Sequence, residues 1–104
     1  MSRWQLRVGP LVLGDLVRIE EYYKEVAPEQ IPRWRREFKT ITQAIKQNPF
    51  LSHEDRPNIR HRATSIFPYH IWFVLNEDSH TVTLVAVIHR RRDPAIAALR
   101  ASCT

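Results

Sequence analysis

The sequence predicts an α+β fold: an N-terminal strand, an antiparallel helical hairpin packed on a small, mainly antiparallel β-sheet, and a short C-terminal helix. Three observations carry this expectation. Apolar residues recur at three- and four-residue steps through the first half of the chain, the period of a helix buried along one face. The second half turns to aromatic and β-branched runs separated by polar turn residues, the composition of strands. A length of 104 residues, 43% hydrophobic and 26% charged, suits one globular domain over residues 1–104 and not comfortably two.

Trp4 to Val8 alternates and reads as a first strand, ended by Gly9-Pro10. Val12, Leu16, Ile19, Tyr23 and Val26 then follow at steps of four, three, four and three, which places them on one helical face. Arg18, Glu21 and Glu25 fall opposite, and Glu20 with Lys24 makes an i,i+4 pair in the favourable order. Pro28 and Pro32 interrupt the pattern, because an interior proline removes a hydrogen bond and clashes with the preceding turn. A second helix starts near Ile31, carries Ile31, Trp34, Phe38, Ile41 and Ile45 at the same spacing, and stops at Asn48-Pro49. It presents Arg33, Arg36 and Lys39 outward, with Arg33 and Glu37 as a second i,i+4 pair. So short a connection between amphipathic helices makes an antiparallel hairpin.

Phe50 to Asn58 is polar and reads as a loop. Ile59 to Ser65 and Phe67 to Leu75 read as strands, Asn76-Glu77-Asp78-Ser79 as a turn, and Thr81 to His89 as the strand that completes a hairpin. The last two strands are apolar on both faces, so they belong in the centre of the sheet with a cover on each side. Asp93-Pro94 is a helix start, with Asp as N-cap and Pro at the first helical position. A helix from Pro94 to about Ala101 would bury Ile96 and Leu99. The expected order is β-α-α-β-β-β-α.

The formal net charge is +5, and it is unevenly spread. Through Asp55 nine Lys/Arg stand against eight Asp/Glu; from Arg56 onward seven stand against three. Such a segment suits an anionic partner, either nucleic acid or an acidic protein segment, although solubility alone is a competing explanation. No apolar run approaches the roughly 18–20 residues of a membrane span. Met1-Ser2-Arg3-Trp4 lacks the apolar stretch of a signal peptide, and Cys103, the one cysteine, has no Cys or His neighbours to make a zinc site. A cytoplasmic protein with no metal, no cofactor and no membrane partner is expected.

The residues that carry chemistry lie in the second half. Arg60 and Arg62 share a strand face, where they would clamp a phosphate or carboxylate in bidentate fashion, or simply solvate an edge strand. Arg90-Arg91-Arg92 is a denser basic run. His89 closes its strand with Thr83, Val85 and Val87 sharing its parity. Imidazoles serve as general acids or bases, and a strand-end histidine bonded to a loop is the plainer explanation. Trp72 shares parity with His70 and Val74; exposed, it would anchor a partner, and buried, it would be core beneath a helix. Asp93 is accounted for as a cap. No paired carboxylates, glycine-rich phosphate loop or nucleophile–base arrangement occurs.

The stretch Phe67-Pro68-Tyr69-His70-Ile71-Trp72-Phe73, followed by a turn and then Val85-Ala86-Val87-Ile88-His89-Arg90-Arg91-Arg92-Asp93-Pro94, resembles the C-terminal half of RelE/ParE toxins of bacterial type II toxin–antitoxin systems. Members commonly carry an Arg before an FPY-x-I-x-Y strand and close a later strand with V-x-H-x-R-R-D-P. Here Arg60 and Arg62 precede the first motif, Phe73 stands where Tyr is usual, and His89 to Pro94 fits the second. The helical hairpin, its Pro28-Glu29 junction and Pro49 fit as well, so the resemblance spans nearly the whole chain. The ending is closer to the ParE-like and plasmid-stabilisation branch than to the mRNA-cleaving RelE branch.

That resemblance implies the RelE/ParE fold and a toxin that inhibits growth by binding its target, DNA gyrase for ParE members. A cognate antitoxin would neutralise it by laying a strand or helix across the sheet, in a toxin–antitoxin hetero-oligomer. Target or antitoxin contacts are then expected from Arg60, Arg62, His70, Trp72, His89, Arg90, Arg91 and Arg92. The alternative is a ribosome-dependent, metal-independent mRNA endonuclease in which Arg60, Arg62, His89 and Arg91 stabilise the charged transition state. A third possibility is a basic nucleic-acid-binding domain without toxicity.

Overall fold

In the computed structural model, which describes residues 4–102, the chain runs β1 (Gln5–Val8), α1 (Val12–Val26), α2 (Ile31–Gln47), β2 (His53–Arg56), β3 (Ile59–Ala63), β4 (Tyr69–Asn76), β5 (Thr81–His89) and α3 (Ala95–Ser102). Short 3₁₀ turns at Pro28–Gln30 and Pro49–Leu51 precede and follow α2. Cys103 lies outside the described residues. One mixed sheet has the order β1-β5-β4-β3-β2. β1 runs parallel to β5, and every other neighbouring pair is antiparallel. β4 and β5 are central, as their apolar faces require.

On one face the helical hairpin buries Val12, Ile19, Trp34, Ile41 and Ile45 against Ile71, Phe73, Leu75, Val82 and Leu84. On the other, Ala97 of α3 meets Trp72, Val85, Ala86 and Ile88. The two helices of the hairpin are tied by a fork in which Arg35 Nε and Nη2 donate to Glu20 at 2.7 and 2.6 Å. Glu20 therefore pairs with Arg35 rather than only with Lys24, because a guanidinium offers two parallel donors and an ammonium one point charge. The hydrogen bonds from Arg35 hold the Glu20 carboxyl below its ordinary value. Glu37 also leaves its expected partner Arg33. Its carboxylate accepts the backbone N–H groups of Ser65, Ile66 and Phe67 at 3.0–3.1 Å, which docks α2 onto the approach to β4.

Four further details depart from the sequence reading. β2 falls in the stretch read as loop. All four of its residues, His53-Glu54-Asp55-Arg56, are exposed, so an edge strand with no buried face carries no hydrophobic period to detect. It turns into β3 through Pro57-Asn58, with Asn58 at φ 68°, a conformation asparagine tolerates better than most residues. Val26 is exposed at the end of α1. Leu99 is 72% exposed; the small side chain of Ala97 sits against the sheet in its place, with Ile96 half-buried beside it. Finally, Trp72 pairs with Ala86 but Phe73 with Leu84, leaving Val85 as the extra residue of a β-bulge. The bulge reverses the alternation of β5. Val85 packs with the α3 cluster and Val87 with the hairpin cluster, so Val87 and His89 do not share a face with Thr83 and Val85.

Gly9 ends β1 where its N–H donates to the Leu84 carbonyl at 2.7 Å. A Cβ there would lie 2.5 Å from that same backbone oxygen, so the close approach of β1 to β5 requires glycine. The helix faces make a direct prediction. Ile41→Ala, at a position 8% exposed, costs about 2–5 kcal/mol in chemical denaturation. Phe38→Ala costs less, because Phe38 is only partly buried against the same cluster. A loss below about 1 kcal/mol at Ile41 would mean that this face does not carry the core.

Candidate functional site

β1 pairs only with Thr81 to Leu84, so from Val85 onward the outer edge of β5 lacks a strand partner. Two side chains occupy it. Asp15, on the sheet-facing side of α1 and 3% exposed, accepts the Val87 N–H at 2.9 Å. Arg100 of α3 donates to the Val85 carbonyl at 3.2 Å. These two residues also fork each other, at 2.6 and 3.2 Å, and Arg18 adds a third guanidinium contact to Asp15 at 2.6 Å. The bulge, α1 and α3 are thus locked at one point. Beside it a groove of about 390 Å³ runs past Tyr22, His89 and Arg92.

Apolar side chains are exposed just before α1, on α1 and on α3. Leu11, Leu13, Val17 and Leu99 are all at least half or nearly half exposed. Leu11 and Leu99 line an apolar cavity of about 260 Å³ together with Pro10, Thr83 and Val85.

On the face opposite the hairpin, the strand register brings three histidines into a row. His53 of β2 is opposite His61 of β3, which is opposite Trp72 of β4. Ring centroids lie 4.8 Å apart for His53 and His61, 4.7 Å for His61 and His70, and 4.4 Å for His61 and Trp72. The His61–His70 pair is stacked. Burial pushes the His61 imidazole down to about 4, with His70 and His53 adding to the shift. Burial also lowers His70, assisted by Arg90, His53 and His89. Among the described residues no group of three or more His, Cys, Asp or Glu is arranged to hold a metal ion.

A pH prediction follows. A histidine whose pKa is lowered by folding takes up its proton more readily when unfolded, so stability falls as pH drops through the unfolded value. The His61 contribution is complete above about pH 6.5 and is lost progressively towards about pH 4. His61→Phe keeps the stack and cannot titrate, so its unfolding midpoint should fall less steeply than that of the parent across this window. Parallel curves would contradict the buried, neutral assignment.

The residues singled out in the sequence are distributed over both faces. Arg60 is opposite Phe73 on the hairpin side. Its Nη1 donates to the carbonyls of Ser52 at 2.9 Å and Phe50 at 3.4 Å, Nη2 lies 3.6 Å from Glu54, and the guanidinium covers the Phe50 ring at 5.2 Å. Its contacts pin the turn after α2 to the sheet. Arg62 is opposite Ile71 on the same side, half-buried. His89 meets Tyr69 edge to face at 5.9 Å, and its Nδ1 accepts the Arg91 N–H at 3.1 Å. Ile71 and Tyr69, buried with Trp34 on the hairpin side, stand between Arg62 and His89. Arg60 and Arg62 thus stand on β3 and His89 at the end of β5, with β4 between them.

His70 and Trp72 face the other way. Trp72 is 3% exposed, a core residue under α3 rather than a protruding anchor. Arg90, Arg91 and Arg92 are exposed on the turn after β5, which is fixed by Arg90 N–H to the Pro68 carbonyl and Arg92 N–H to the His89 carbonyl. Asp93 caps α3 by accepting the Ala95 N–H at 2.9 Å. Sequence reasoning missed Asp15, Arg100, His53 and His61. For Asp15 a signal existed, a carboxylate three residues after Val12 and four before Ile19 on the apolar stripe. No helix among the described residues is long and apolar enough to cross a membrane.

Comparison with known proteins bears on this arrangement. A family model described as the ParE toxin of the type II toxin–antitoxin system parDE matches residues 6–94. Among solved structures the chain is similar to one titled "Chromosomal ParDE TA system from P. aeruginosa", with a TM-score of 0.69 and 13% identity over 83% of this chain and 95% of the other. No curated protein matches.

Proposed function

Because this chain belongs to the ParE toxin family of type II toxin–antitoxin systems, we propose that it arrests bacterial growth in the cytoplasm by binding its target, DNA gyrase, and that a cognate antitoxin holds it inactive. The family match over residues 6–94 carries this reading. Two observations support binding over catalysis: β4 separates Arg60 and Arg62 on β3 from His89 on β5, and Arg60 is committed to the fold. The antitoxin would need acidic and apolar residues together. Arg90, Arg91 and Arg92 supply charge for encounter, and the exposed Leu11, Leu13 and Leu99 supply surface to bury.

The test is enzymatic and uses the purified chain. Gyrase supercoiling of relaxed plasmid should be inhibited in proportion to added protein, with cleaved DNA accumulating. Adding the antitoxin encoded beside this gene should restore supercoiling. Unimpaired supercoiling at protein concentrations that stop growth on expression would remove gyrase as the target.

A further inference from the structure

We propose that the face opposite the helical hairpin binds a single-stranded segment of nucleic acid, with a base against the row of imidazoles formed by His53, His61 and His70 and its phosphates on Arg90 and Arg92. Single-strand binding combines flat rings on which bases stack with cations that follow the backbone. Here the two are adjacent. The rings come from three neighbouring strands at 4.7–4.8 Å spacing. Beside them lies a cavity of about 150 Å³ whose walls include His61, His70, Trp72, Arg90 and Arg92.

The polar lining is unfinished. Trp72, though 3% exposed, has its indole Nε1–H without a hydrogen-bond partner, and the buried Nδ1 of His61 is equally unpaired. Buried polar atoms without partners are uncommon in folded proteins. Both belong to side chains that line this cavity and give it a polar character, although the two atoms themselves are shielded from solvent. Neither Arg90 nor Arg92 has a side-chain ion pair among the described residues. Among the described residues that line this cavity the one acid, Asp55, is held by Arg56 at 3.1 Å. Burial keeps His61 uncharged near neutrality, which lets its ring stack closely on its neighbours without mutual repulsion. Duplex DNA buries its base faces, so this surface selects single strands.

The inference does not depend on growth arrest or on gyrase, and its test uses the purified full chain with free oligonucleotides, so its failure is separable from failure of the toxin reading. Fluorescence anisotropy is measured with fluorescein-labelled oligouridylate, oligothymidylate and a duplex DNA of equal length. Both single strands should bind more tightly than the duplex, and a preference for the ribo-strand would assign the contact to RNA. His53→Ala, at an exposed edge position where folding is not at risk, and His70→Leu should each weaken binding by roughly 5- to 100-fold, the range for losing one stacking partner. Arg90→Ala with Arg92→Ala should reduce the slope of log affinity against log salt by about 1.4, as for two phosphate contacts on a single strand. Arg33→Ala with Arg36→Ala removes the same charge from the hairpin side and should change affinity little. Equal binding of duplex, unchanged affinity in a folded His53→Ala protein, or an equal loss from the Arg33 and Arg36 pair would each overturn the proposal.

Discussion

Asp15→Ala should lower the free energy of unfolding by about 3–5 kcal/mol, the range for removing one partner of a buried ion pair. Asp15 is 3% exposed and accepts from Arg18, Arg100 and the Val87 N–H. Truncation would take the Asp15 carboxylate away from the Arg100 guanidinium, whose side chain is 18% exposed. It would also leave the Val87 N–H without its acceptor, and each such loss carries a desolvation penalty. Arg18 matters less, since its side chain is 66% exposed and can turn to water. Asp15→Asn, which retains an acceptor for Val87 but not the charge, should cost less than Asp15→Ala. Replacing both partners, Asp15→Leu with Arg100→Met, should recover part of the loss because no charge is then left buried. The measurement is urea denaturation of the four proteins. A loss under about 1 kcal/mol in Asp15→Ala would mean that the cluster does not hold α1, β5 and α3 together.

The same cluster marks where sequence reasoning ends. The stretch Thr81 to His89 and the apolar stripe of α2 were legible because each buries a continuous face, and burial imposes a period. β2 was not, because His53 to Arg56 bury nothing. Strict alternation puts His89 on the face of Thr83 and Val85, and one bulged residue at Val85 reverses it. The partners of Asp15 lie 72 and 85 residues away, so no local pattern explains a carboxylate on an apolar stripe. His70 was visible as a strand residue, but the row it joins depends on the register of three strands. The fate of Trp72 depended on where α3 lands, which no local pattern specifies. The family motifs, by contrast, read through cleanly, since they record the β4–β5 hairpin and the cap of α3 as contiguous residues.

Growth arrest should survive His89→Gln and weaken when Arg90, Arg91 and Arg92 are all reversed to Glu. His89 uses Nδ1 to accept the Arg91 N–H at 3.1 Å, a role that the amide oxygen of glutamine can take over without being able to titrate. A toxin that acts by binding has no need of a titrating group there. The three arginines are exposed and their backbone bonds to Pro68 and His89 do not depend on side-chain charge, so the reversed protein should keep its circular dichroism and unfolding midpoint. What changes is encounter: each reversal removes two positive units from a chain whose net charge is +5, and electrostatic steering contributes about 10–10³ to association rates. Arrest should therefore require much higher expression, and the deficit should shrink at high salt, where steering is screened. A nuclease would behave in the opposite way, since loss of a general acid or base costs about 10²–10⁴ in rate while loss of distant charge costs less. If His89→Gln abolishes arrest in a folded, antitoxin-binding protein, and cleavage of transcripts within codons disappears with it, the binding reading is wrong and the endonuclease reading replaces it.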